Sequence, residues 1–197
     1  MPEVELWQET PIRDLSGRIR RVGINLGAPG DRKAETGTLW LDYPSVGGKS
    51  PEVKVEVAGE PTYFRRHSSR IEGEGLKWVA ASGCVGLSSI TLTLADAEPT
   101  ETDQRPYTIR LYFVEPEAVK PGRRVFDVAI QGTTVLKGFD VVDRAGAPLT
   151  TYVQEFTNLS VEDILTIVLT PRPGSLPPVL CGVEAVLEED VPASTLR

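Results

Sequence analysis

Apolar and polar positions alternate along this chain in short stretches, and glycine, proline or acidic residues interrupt each stretch before it grows long. The clearest alternation is Tyr107-Thr-Ile-Arg-Leu-Tyr-Phe113, which sets Ile109 and Leu111 on one face and Thr108 and Arg110 on the other. That two-residue period is the mark of a half-buried strand. Comparable stretches predict strands at 21–26, 38–41, 53–57, 62–66, 76–81, 88–94, 107–114, 124–130, 133–137, 151–156, 164–169 and 179–187. Between 124–130 and 133–137 the link is Gln131-Gly132, a polar-glycine pair that predicts a tight hairpin. One helical turn is predicted at 158–163, where Asn158 or Ser160 suits the cap and Glu162 and Asp163 suit the first turn. No longer helical stripe interrupts the strands. The expected fold is all-β: an antiparallel β-sandwich of jelly-roll type, its sheets closed as two packed layers.

Composition narrows the picture. A chain of 197 residues with 40% hydrophobic content carries enough apolar material for one sizeable core. The expected body is 21–188, preceded by an extension at 1–20 and followed by a tail at 189–197. The 18 glycines and 16 prolines fall at short intervals, as turns between many short strands require. A net charge of −7 leaves no basic footprint for nucleic acid or an anionic membrane surface, so neither is an expected partner. No stretch is apolar for long enough to insert in a membrane, and a soluble chain is expected. Cys84 and Cys181 lack metal-ligand spacing, and read as reduced, partly buried thiols, with a disulfide as the alternative. Residues 96–103 offer carboxylates without the regular spacing of a calcium loop and read as a solvated turn. No metal and no cofactor is expected. Asn158-Leu-Ser160 is a formal glycosylation acceptor.

Catalytic patterns are thin. Any Ser-His-Asp or Cys-His site would have to use His67, and the serines and Cys84 lack the strand-to-helix elbow of a nucleophile, so no enzyme is expected. Recognition chemistry is better represented. The densest polar-aromatic cluster runs from Tyr63 through Phe64, Arg65, Arg66 and His67 to Arg70, and Trp40 and Tyr43 stand in the segment LWLDYPSVGG. Flat rings beside planar cations suit a sugar or other polar ligand. The competing readings are structural: Trp40, Phe64 and Trp78 as core aromatics, the arginines as surface ion pairs, and Asp127 and Asp140 as acceptors for turn backbone. Asp140 and Arg144 also begin a loop that could face a ligand.

Residues 107–142 resemble the central signature of malectin and malectin-like carbohydrate-binding domains: an aromatic-ended strand followed by Glu115, a Gly-Arg entry into Val125-Phe126-Asp127-Val128, the hairpin, and a closing Phe139-Asp140. Ile24-Asn25-Leu26-Gly27 with Trp40 and Gly47-Gly48 resembles the family's opening strand and glycine-rich loop. Leu165–Leu169 and the stretch 178–184 resemble its last strands. The resemblance covers roughly 21–188. It implies a non-catalytic carbohydrate-binding module, part of a larger exported protein in an extracellular or cell-envelope setting, whose loops hold a glucose-containing oligosaccharide. The alternative is a protein-interaction or structural sandwich on the same fold. Two departures bear on the sugar contacts: Pro116-Glu117-Ala118 stands where sugar-binding members carry adjacent aromatics, and Gly174-Ser175-Leu176-Pro177 where they place aromatics and an aspartate. The ligand-binding candidates are therefore Trp40, Tyr43, Tyr63, Arg65, Arg66, His67, Glu115, Asp140 and Arg144.

Overall fold

A computed structural model describes residues 12–14, 16–47, 53–95 and 104–188. The expected tail at 189–197, most of the N-terminal extension and the acidic segment 96–103 lie outside these residues. Thirteen strands and two short helices follow one another as β1 (Arg21–Leu26), β2 (Arg32–Lys33), β3 (Leu39–Tyr43), β4 (Val55–Arg65), a 3-10 turn (Ser68–Arg70), β5 (Glu72–Gly73), α1 (Lys77–Ala80), β6 (Ser82–Thr93), β7 (Arg105–Phe113), β8 (Val125–Ile130), β9 (Thr133–Asp140), α2 (Val141–Ala145), β10 (Thr150–Val161), β11 (Ile164–Pro171), β12 (Val179–Leu180) and β13 (Gly182–Leu187).

They form two sheets. One has seven strands in the order β2-β3-β1-β13-β7-β10-β5; the other places β12, β6, β11, β8 and β9 in line, with β4 also paired to β6. The pairing is antiparallel with two exceptions, β1 with β3 and β5 with β10. The first arises because the chain reverses twice, around 27–31 and 34–38, and so brings β3 back in the direction of β1.

The two-residue period works as expected on β7. Tyr107, Ile109, Leu111 and Phe113 point inward and meet Phe126, Val128 and Ile130 of β8 and Leu165, Ile167 and Leu169 of β11 in the core between the sheets. The hairpin also forms, with Gln131 and Gly132 both at positive φ (50° and 77°), the geometry of a two-residue primed turn. The Gln131 side chain then serves β11: its amide donates to the Ile164 carbonyl at 3.0 Å and its oxygen accepts from Thr166 N–H at 2.8 Å.

A second cluster lies on the outer face of the seven-stranded sheet. Trp40, Tyr112, Val114, Ile71, Val79, Ala80 and Cys181 pack there beneath the segment between β4 and β6. Trp40 lies across Gly23 and Gly182. A Cβ on Gly23 would come within 2.2 Å of the indole, and one on Gly182 within 2.8 Å of Val79 and 2.9 Å of Trp40. The strand that carries the ring therefore rests on neighbours without side chains at those two points.

Four expectations are corrected. The stretch 76–81 is not a strand but contains the single turn α1, which turns Val79 into the second cluster while Trp78 stays half-buried. The predicted breaks between 53–57 and 62–66 vanish, because irregular register around Gly59 and before Thr62 lets β4 run unbroken beside β6. No helix forms at 158–163: β10 continues to Val161 through a register shift, with Asn158 at φ 55°, a conformation asparagine tolerates. The stretch 179–187 is two strands in different sheets. The chain crosses between them at Cys181, whose N–H donates to the Tyr112 carbonyl at 2.8 Å and whose carbonyl accepts from Leu26 N–H at 2.9 Å.

Both cysteines are unbonded and buried. Burial pushes the Cys84 thiol up to about 11 and raises the Cys181 thiol further. Since the thiolate is the nucleophile, neither should react with a disulfide reagent at about pH 8 in the folded protein, while both should react in denaturant. Rapid labelling of the native protein would show that the crossing at Cys181 opens.

Candidate functional site

One end of the sandwich carries two adjoining hollows that share Arg65, Arg66 and His67 as their common wall. The first, of about 410 Å³, is lined by the loop from Ala28 to Arg32, the end of β4 and Trp78. The second, of about 560 Å³, adds Arg70, Glu117 and Leu149.

Local packing sets each wall. After β1 the chain turns at Gly27, whose N–H donates to the Tyr43 carbonyl at 2.7 Å. Arg65 reaches across from β4 to this turn. Its Nε donates to the Gly27 carbonyl and its Nη2 to the Ala28 carbonyl at 3.2 Å, which ties the loop to the strand end. Beneath, Ser82 Oγ donates to Asn25 Oδ1 at 3.0 Å, linking β6 to β1. Trp78 stands edge-on to Trp40, ring centres 5.9 Å apart, and the guanidinium of Arg32 lies over the Trp78 ring at 4.7 Å. Trp78 is thus held from below by the second cluster and faced by a cation above. Arg66 donates to the carbonyl of Arg65 at 3.0 Å and to that of Pro116 at 3.4 Å, and its guanidinium is 5.8 Å from the Phe64 ring. Its bond to Pro116 brings the β4 end to the loop after β7.

His67 caps the 3-10 turn. Its Nδ1 accepts from Ser69 N–H at 3.3 Å and lies 2.7 Å from Ser69 Oγ. Among the described residues no carboxylate bonds the ring, so a Ser-His-Asp relay is not assembled here.

The structure divides the sequence candidates into three groups. Arg65, Arg66 and His67 come together at the hollows. Tyr43 and Tyr63 pack half-buried against the inter-sheet core and line neither hollow; burial, with Cys84 and Tyr43 as neighbours, pushes the Tyr63 hydroxyl up to about 12. Arg144 is exposed on α2 and lines neither hollow. Trp40, Glu115 and Asp140 are buried structural residues. Trp40 is 1% exposed and offers no ring face to a ligand. Glu115, fully buried, takes Arg124 in two contacts, Nε to Oε2 at 2.7 Å and Nη2 to Oε1 at 3.3 Å, and its Oε1 also accepts from Glu117 N–H. Asp140 caps α2 by accepting from Val142 and Asp143 N–H, and also accepts from Gly122.

Sequence reasoning placed Arg70 in the polar-aromatic cluster but missed Asp31, Arg32 and Leu149 as lining residues and took Trp78 for core. A proline-glycine loop carrying a charged pair, Pro29-Gly30-Asp31-Arg32, was the available signal for the first two.

Comparison with known proteins agrees with this architecture. The sequence model of the malectin domain matches residues 97–169. A nodulation receptor kinase from Pisum sativum is 34% identical over 76 residues, a match that takes in 38% of this chain and 8% of the receptor. The ANX2 ectodomain from Arabidopsis thaliana superimposes with a TM-score of 0.63 at 16% identity, over 83% of this chain and 48% of that one. A structure of the plant peptide RALF23 in complex with FER and LLG2 gives a TM-score of 0.62 at 17% identity, over 94% of this chain and 55% of its own. A β-glucuronidase from Bacteroides uniformis gives a TM-score of 0.62 at 13% identity, over 85% of this chain and 18% of the enzyme. The chain thus spans about half, or much less, of each of these proteins. The central strands thus match the malectin sequence model, and over most of its length the chain has the sandwich fold seen in plant receptor ectodomains.

Proposed function

We propose that this domain is a non-catalytic recognition module of a larger exported protein and that it binds an oligosaccharide in the paired hollows. The observation that carries the reading is the wall of Arg65, Arg66 and His67, which stands between a concave surface holding the half-exposed Trp78 ring and one bordered by Leu149. A flat ring offers apolar contact to a sugar face, and fixed guanidinium groups offer planar donors to its oxygens. Together the hollows are long enough for more than one sugar ring. Their walls are loops tied to a strand end, since Arg65 binds the Gly27 and Ala28 carbonyls and Arg66 that of Pro116, so little ordering is needed on binding.

The test is retention on a glycan array and affinity electrophoresis, comparing the wild type with Trp78→Ala and Arg66→Ala. Each substitution should weaken binding by about tenfold or more, consistent with loss of one ring platform or one oriented donor. Arg66 is exposed, so its variant should melt with the wild type. Binding that survives both substitutions would place the ligand elsewhere. The second reading, a protein-binding sandwich, is favoured by the neighbour solved with the peptide RALF23 and by Pro116-Glu117-Ala118 at the rim of the second hollow, where no aromatic ring is offered.

A further inference from the structure

We propose that the ligand of these hollows is acidic, a glycan bearing carboxylate or sulfate groups rather than hydroxyls alone. The proposal rests on the reading of the hollows as a glycan site and adds the charge of what they hold.

The chain is acidic as a whole, with a net charge of −7, and its surface should repel an anion in general. The hollows are the exception. Arg32, Arg65, Arg66 and Arg70 converge on them. Among the described residues, none of these four makes an ion pair with a carboxylate, whereas Arg110, Arg124 and Arg172 elsewhere in the fold do. Arg65 and Arg66 spend their bonds on main-chain carbonyls of Gly27, Ala28, Arg65 and Pro116. A carbonyl orients a guanidinium without cancelling its charge. Arg32 is held by a ring, with the same consequence. Arg32, Arg65 and Arg66 are thus cations held in place before any ligand arrives, with Arg70 exposed beside them.

The two carboxylates on the walls are already engaged. Asp31 accepts from Asp42 N–H at 3.0 Å, and Glu117 lies 3.4 Å from Arg124 Nη2. Asn25 Oδ1 is taken by Ser82. The walls therefore carry four guanidinium donors against two carboxylates, each with one oxygen already taken. A neutral sugar presents hydroxyls that both donate and accept, and its donors would find few partners here. A carboxylate or sulfate only accepts, and a guanidinium only donates, so the two match in hydrogen bonding as well as in charge. Because the hollows adjoin, a chain with an acidic group on successive units would place one beside Arg32 and Trp78 and another beside Arg66 and Arg70.

The experiment is calorimetric titration of the whole chain with four probes: alginate fragments, which carry carboxylates; dextran sulfate fragments, which carry sulfates; neutral maltooligosaccharides; and polyglutamate. Alginate, dextran sulfate or both should bind, with affinity that falls as salt rises, and the pair Arg66→Gln with Arg70→Gln should weaken that binding by about tenfold or more. Binding to alginate alone would identify the carboxylate as the group recognised, and binding to dextran sulfate the sulfate. The salt series needs no variant and stands even if one fails to fold. Maltooligosaccharides bound as tightly as the acidic fragments, with no response to salt or to the double substitution, would overturn the charge assignment and leave the glycan reading intact. Binding to polyglutamate without binding to any glycan, or binding to no probe, would overturn both.

Discussion

Replacing Glu115 with alanine should lower the stability of the domain by about 3–5 kcal/mol, read as a shift of the urea midpoint at unchanged slope. Glu115 is fully buried and Arg124 is 2% exposed. Removing the carboxylate leaves the guanidinium inside the protein with the Pro177 carbonyl and a Glu117 oxygen at 3.4 Å. Neither replaces two short contacts to a full charge. The pair itself is not inherently worth that sum, because bringing both ions out of water has its own cost. It follows that Glu115→Leu combined with Arg124→Met should recover most of the loss, since the double change leaves no buried charge behind. A double variant as unstable as Glu115→Ala would show instead that the pair is needed to hold the loops after β7 and before β12 in register. The loop after β7 borders the second hollow, so the single variant should also bind ligand less well.

The second large effect is expected at Trp40. Trp40→Ala should cost about 3–5 kcal/mol, because the indole fills the space over Gly23 and Gly182 and packs edge-on against Tyr112, ring centres 5.1 Å apart, and Trp78. Gly23 offers a sharper check. A methyl group there would overlap the indole, so Gly23→Ala should destabilise the wild type by several kcal/mol as the ring is displaced. In the Trp40→Ala background the overlap is gone and the same substitution should be close to neutral. Such coupling is what a double-mutant cycle measures. Equal penalties in the two backgrounds would refute the packing described. Loss of Trp40 also removes the support of Trp78, and ligand affinity should fall with stability.

The strands that the alternation located are those whose one face meets the opposite sheet. Tyr107, Ile109, Leu111 and Phe113 recur every second residue because each points inward and each intervening position points out. The hairpin was equally legible, since only a few residue pairs adopt positive φ at both turn positions. The stretch 76–81 was not: a short run that is apolar apart from Lys77 reads as strand or helix until something is packed against it, and here the helical turn sets Val79 against Trp40 and Gly182. The change of sheet at Cys181 left no trace in a run that is apolar apart from Gly182 and Glu184, because both halves are buried wherever they lie.

The candidate site divides along the same line. Arg65, Arg66 and His67 are neighbours in the chain, so their clustering could be read directly. Arg32, Trp78, Glu117 and Leu149 join them only because the loop after β1, the turn before β6 and the loops after β7 and α2 end at one rim of the sandwich. Local patterning decided that this chain is made of paired strands, since hydrogen bonding and burial act on near neighbours and leave a periodic mark. Which distant loops share a rim, which tryptophan is buried and which is left half-open, and which arginines remain without a carboxylate depend on contacts between residues far apart in the chain. Those contacts exist only once the two sheets have closed on their common core.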